Sequence, residues 1–278
     1  MHLTDMFYYG FIQRALLAGI LIALLCAVLG MFLVLRRLSL IGDGLSHVTF
    51  GSVALALFFG LQGVSMLTVT LPVVLFSSLG IMRLSERGRL GGDAAIGIVS
   101  SLGVSLGVVL AGLGGGFNVD LFSVLFGSIL AISKAEIIVA VVLSVVVLGL
   151  LLYWYHDLVA LTFNEELARV TGIRTRLLKG LLAVLTALTV VLAMKLVGVM
   201  LISALLILPA STALQVARGF RVAVILSMVT AVVAVTGGSM LSFGLNLPTG
   251  ATIILLSLAQ FCLAFLYRHF RHSSLKPV

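Results

Sequence analysis

Asp43 and His47 are the two residues of this sequence best placed to do chemistry together. They stand in RRLSLIGDGLSHVTFGSVALA, four positions apart, just after a pair of arginines and at the start of an apolar run. On a helix that spacing sets both side chains on one face, about 6 Å apart along the axis. A carboxylate and an imidazole on one face make a plausible half of a divalent-metal site. Two donors alone hold an ion weakly, and a twofold-symmetric pair of chains would supply four. The plainer alternative is an acid capping a helix start, with a histidine nearby by chance.

The second candidate is the longest polar segment, HDLVALTFNEELARVTGIRTRLLK, residues 156–179. Asn164 is placed to cap a short helix, with Glu165 and Glu166 in the first turn, where the helix dipole favours acids. Ala168 is small enough to permit close approach, and Gly172 suits a helix stop. Arg169, Arg174, Arg176 and Lys179 ring this helix. The segment reads either as an ordinary solvated loop or as a docking knob for a partner.

Other chemistry is thinly supported. No Gly-Lys dipeptide occurs, so a GxxxxGK[ST] nucleotide loop is excluded, and no HExxH occurs. Asp43 lacks the Gly-x-Gly-Asp context of an intramembrane aspartyl protease. Asp93 reads as a helix cap and Lys195 as a snorkelling cation. His156, His269 and His272 read as solvated. Asn246 with Pro248, Thr249 and Gly250 reads as a turn.

The elements that must position these residues are membrane spans. Apolar residues make up 62% of the 278 and charged residues 9%, with a mean hydropathy of +1.31. A span needs about 20 mostly apolar residues. Nine such runs are expected: 11–35, 46–61, 64–82, 94–113, 137–155, 180–196, 199–217, 222–240 and 250–267. If 180–217 is one buried helix plus a re-entrant piece, the count is eight. The runs are long and unbroken, which excludes an outer-membrane barrel. Fourteen of the 17 cations, from Arg36 to Lys276, fall in one set of loops, against Arg14, Lys134 and Lys195 in the other. The positive-inside rule then expects the C-terminus in the cytoplasm and the N-terminus outside. The net charge of +8 is thus a topology signal, spread over short loops, and no nucleic-acid partner is expected. No cleavable signal pattern is expected at the start. Cys26 and Cys262 both lie within spans, so neither a disulfide nor a cysteine-type zinc cluster is expected. Gly97, Gly103 and Gly107 read as helix-packing positions. Segment 114–133 reads as re-entrant or surface-lying.

The string FIQRALLAGILIALLCAVLGMFLVLRRLSLIGDGLSHVTFGSVALA, from Phe11 to Ala56, resembles the membrane subunit of ATP-binding-cassette importers for zinc, manganese and iron. The resemblance continues through GGDAAIGI, LFGSIL, FNEELARVTGI, KLVGVMLISALLILPASTA and LNLPTGA. These motifs cover nearly the whole chain in order. The resemblance implies a single permease domain over residues 1–278, all-α and polytopic, with a fold similar to that of the vitamin B12 importer's membrane subunit. It implies a homodimer in the bacterial inner membrane, surrounded by lipid. Two cytoplasmic ATPase subunits would drive it, and an extracytoplasmic binding protein would deliver the metal. Asp43 and His47 match the pair lining the metal path, and Phe163 to Gly172 match the coupling helix that docks in the ATPase. That helix comprises Phe163, Asn164, Glu165, Glu166, Ala168 and Gly172 among its matched positions. Asn246 stands where many relatives carry Asp.

On this reading the chain is no enzyme and holds no permanent cofactor. Zn²⁺ or Mn²⁺ is its cargo, with zinc placed first because imidazole suits it, although carboxylate suits manganese. A metal-chelate importer permease and an ion-gradient-driven secondary transporter are the rival readings. A membrane-embedded hydrolase is a third, without visible catalytic partners.

Overall fold

The computed structural model describes residues 10–87, 91–114, 134–245 and 247–273. Every regular element among them is helical: α1 (Gly10–Leu35), α2 (Ile41–Phe58), a 3-10 turn (Gly63–Met66), α3 (Leu67–Arg87), α4 (Gly92–Leu113), α5 (Lys134–Tyr153), α6 (Tyr155–Phe163), α7 (Glu165–Val170), α8 (Thr175–Val197), α9 (Val199–Val216), α10 (Phe220–Leu245) and α11 (Thr249–Ser273). Segment 115–133 and Asn246 lie outside the described residues, as do the side chains of Lys195 and His272.

Seven helices are long and apolar enough to cross a membrane, and α5 with α6, bent by 65°, raises this to eight. The sequence reading has nine. The difference lies in α9, whose described apolar stretch, Leu201–Val216, is shorter than the other spans. That stretch rises about 24 Å, short of the ~30 Å hydrocarbon layer. Gly198, at φ +90°, separates α8 from α9.

Three local expectations are corrected. The second span begins at Ile41, not at 46. The chain after 155 is not loop: Tyr155–Phe163 is helical, because Leu158 and Leu161 bury themselves at helical spacing. Asp93 does not cap α4, since Gly91 holds the N-cap position and Asp93 sits in the first turn.

α1, α2 and α8 form the interior, and α4 and α11 lie outermost. Two buried hydroxyls of α2 are satisfied within the helix, as Ser46 donates to the Gly42 carbonyl (2.8 Å) and Thr49 to that of Leu45 (2.6 Å). The α2–α4 crossing is made by glycine. A Cβ on Gly51 would strike the Gly103 carbonyl, and one on Gly103 would come within 2.6 Å of the Val48 Cα. Gly97 has open space around it and packs nothing here. Gly51→Val is therefore expected to force α2 from α4 at a cost of about 1–3 kcal/mol or more. Gly97→Ala is expected to change nothing. Thermal shift of the detergent-purified protein, compared between the two variants, checks this.

Aromatic packing gathers one end of the bundle. The Phe220 ring meets Phe32 at 5.5 Å, Phe163 at 5.6 Å and Tyr155 at 6.2 Å. Arg268 donates to Gln215 at 2.8 Å at the same end. These contacts join the end of α1, α6 and the start of α10, and the ends of α9 and α11, where the cations of the sequence concentrate.

Candidate metal site and docking helix

Asp43 and His47 are the only residues of Ile41–Ala54 that are not buried. Ile41 and Leu45 anchor the opposite side in the core. Helix α2 starts early enough to include both, so their i, i+4 spacing holds. His47 Nε2 lies 3.7 Å from Asp43 Oδ2, with about 39% and 50% of the two side chains exposed. Two ligands of one tetrahedral ion sit roughly 3.3 Å apart at metal–ligand distances near 2.0 Å. The pair needs only a small adjustment to share an ion.

The capping alternative does not apply. Leu40 holds the N-cap position of α2, with no side-chain cap bond, and the Asp43 carboxylate turns towards His47 instead. The two glycines beside Asp43 have a packing role. A Cβ at Gly42 would meet Leu206 of α9 at 2.5 Å, and one at Gly44 would meet Ile96 of α4 at 2.5 Å. Neighbouring helices close on both flanks of the carboxylate and leave one accessible strip, which carries the two donors. Among the described residues no three His, Cys, Asp or Glu side chains cluster to hold an ion. One chain supplies two donors.

The second candidate region folds around its cap. Asn164 Oδ1 accepts the Leu167 N–H at 2.9 Å, and Glu165 and Glu166 occupy the first turn of α7. The helix ends at Gly172, at φ +86°. The Ile173 N–H returns to the Ala168 carbonyl (3.0 Å) and the Gly172 N–H to that of Arg169 (3.2 Å), a Schellman stop that needs the left-handed residue. Ala168 is buried against the body of the protein, whereas Glu166 faces out.

Glu165, next to it, turns inward. Its carboxylate pairs with Arg36 at the end of α1 (3.4 Å), with Arg169 (3.3 Å) and with Lys179 of α8. Burial raises its proton affinity, but the Lys179 hydrogen bond and the charges of Lys179, Arg36 and Arg169 outweigh it. The net effect holds the carboxyl below its ordinary range.

The segment also carries exposed apolar side chains. Phe163, Leu167 and Val170 are 64%, 61% and 84% exposed. Leu167 and Val170 stand three apart on α7, whereas Phe163 ends α6 across the extended Asn164. On α7, Leu167 and Val170 point away from the face that carries Glu165 and Ala168. The remaining candidates stand apart from both sites: His156 is exposed on α6, His269 on α11, and Cys26 and Cys262 are free thiols.

An all-helical, multi-pass bundle with polar residues at one helix start and a short exposed helix at its basic end is the build of a membrane transport subunit. Comparison with known proteins agrees. Residues 8–268 match the model of the ABC 3 transport family, and the chain belongs to that family. It is 34% identical over 254 residues to the high-affinity zinc uptake system membrane protein ZnuB of Haemophilus influenzae, covering 91% of this chain and 96% of that protein. It is 32% identical over 259 residues to the manganese transport system membrane protein MntC of Halalkalibacterium halodurans, covering 93% and 88%. Among solved structures, PsaBC from Streptococcus pneumoniae in complex with Fab contains a chain that superposes with a TM-score of 0.82. That chain is 31% identical, with 92% of this chain and 91% of that one covered. The chain is thus a membrane component of an ATP-binding-cassette transporter, a transport subunit and not an enzyme.

Proposed function

We propose that this chain is the permease subunit of an ATP-driven importer of divalent metal ions. The observation that carries this reading is the Asp43–His47 pair, two metal donors 3.7 Å apart on the one accessible strip of an otherwise enclosed helix. Relatives named for zinc uptake and for manganese transport support the same class of cargo. Zinc is placed narrowly before manganese on the imidazole donor.

The chain works as a homodimer, since two donors per chain become four across a twofold axis. It crosses the membrane nine times, with a fold similar to that of the vitamin B12 importer's permease. Supporting this, α8 begins and α9 ends at the same basic end, so the chain turns back between them and the short α9 counts as a pass. The basic end faces the cytoplasm of a bacterial plasma membrane, with the C-terminus inside. Two ATPase subunits dock there on α7, and an extracytoplasmic binding protein releases the ion at the opposite face.

In operation the ion descends to the Asp43 and His47 side chains of both copies. The site must bind strongly enough to strip water and weakly enough to release. ATP-driven closure of the ATPase pair moves α7, and the ligand pairs separate. The test is uptake into vesicles containing the chain and its ATPase, comparing Zn²⁺, Mn²⁺ and Fe²⁺ with and without ATP. ATP-dependent accumulation of one free ion is expected. Accumulation driven by a proton gradient without ATP, or of a metal chelate only, would overturn the reading.

A further inference from the structure

Adjacent acids in α7 do different things. Glu166 is exposed on α7, as are the apolar Leu167 and Val170, whereas Glu165 points into the protein. Apart from Arg169 of α7 itself, its partners stand outside that helix. Arg36 closes α1, with 11% of its side chain exposed, and Lys179, with 19%, stands in the second turn of α8.

The α1–α2 connection that begins at Arg36 has little slack. The Leu38 N–H returns to the Leu33 carbonyl at 2.8 Å and the Arg37 N–H to that of Val34 at 3.1 Å. Arg37 takes the left-handed position, at φ +58°, so the turn is a Schellman stop without glycine. The Ile41 N–H then bonds the Leu38 carbonyl at 3.1 Å, starting α2. Asp43 follows two residues later. A hydrogen-bonded turn therefore links Arg36 to the helix start that carries Asp43 and His47.

We propose that Glu165 is a positioning residue that ties α7 to Arg36 and Lys179, delivering the movement of α7 to the turn preceding Asp43 and His47. Its side chain is not part of the surface that meets the ATPase. This inference rests on the reading of α7 as the ATPase-docking helix and of Asp43 with His47 as the metal site. The division of α7 into two faces supports it, with the outward apolar residues for the partner and the inward carboxylate and Ala168 for the body.

The test uses the complete transporter with Glu165→Gln, Arg36→Gln and the two combined, reading ATPase co-purification, ATP hydrolysis and ions moved per ATP. The complex is expected to stay intact and to hydrolyse ATP, while ions per ATP fall about tenfold in Glu165→Gln, near the upper range of coupling effects. Arg36→Gln lowers the ratio less, and the double variant is no worse than Glu165→Gln, as shared action requires. An unchanged ratio in Glu165→Gln overturns the proposal, as does loss of the ATPase from that variant, which would make Glu165 a docking contact. Absence of ATP-dependent uptake by the unaltered complex would instead remove the importer reading itself, and the tie with it.

Discussion

Replacing Asp43 and His47 together with alanine should reduce ATP-driven metal accumulation at least about a hundredfold, with the folded complex preserved. Four ligands give a structural zinc site roughly 10–16 kcal/mol of apparent binding energy. Each lost donor therefore removes several kcal/mol, and a hundredfold loss corresponds to only about 2.7 kcal/mol. The fold should tolerate the change. Both side chains are part-exposed in the chain, so truncation leaves no core cavity, and alanine is the best helix former. Uptake by the unaltered and doubly substituted proteins, normalised to co-purified ATPase, separates chemistry from folding. Full uptake by the double variant would mean that the ion takes another route.

The second large effect concerns α7. Leu167→Asp with Val170→Asp should remove the ATPase from the purified complex, weakening association at least about a hundredfold. Both side chains are more than half exposed, so the permease itself should lose little stability. In the complex each would have to bury a carboxylate without a partner, at several kcal/mol apiece. Glu166→Arg is expected to disturb docking through charge at the same surface. Ala168→Trp acts differently from what its sequence position suggests. Ala168 is 2% exposed, so tryptophan there would unseat α7 from the permease. Affinity purification followed by quantification of bound ATPase reads all of these. A complex that survives the Leu167/Val170 double substitution would place the docking surface elsewhere.

What could be read in the sequence was what depends on local spacing and on composition. The pairing of Asp43 with His47 follows from four residues of helix. The Asn164 cap and the Gly172 stop follow from side-chain and backbone chemistry within one turn. The clustering of basic loops at one end follows from the hydropathy pattern. What escaped depended on tertiary neighbours. Glu165 and Glu166 are the same residue type in adjacent positions. Arg36, 129 residues away, and Lys179 of α8 make one of them an internal partner. Gly42 and Gly44 look like a turn around Asp43, yet they sit within α2 because Leu206 and Ile96 close over them. The span expected from 46 leaves that first turn out. Gly97 and Gly103 share a composition signal, but only Gly103 meets another helix. Helix α6 was taken for loop because its charged and aromatic residues hide the buried Leu158 and Leu161.

The central claim is that two copies of the chain share one ion through Asp43 and His47. Equilibrium binding of radioactive zinc or manganese to the purified transporter, with permease chains counted in the same sample, tests it most directly. One ion per two permease chains is predicted, with binding abolished in the Asp43→Ala, His47→Ala double variant. One ion per chain, or the same binding after both substitutions, would contradict it.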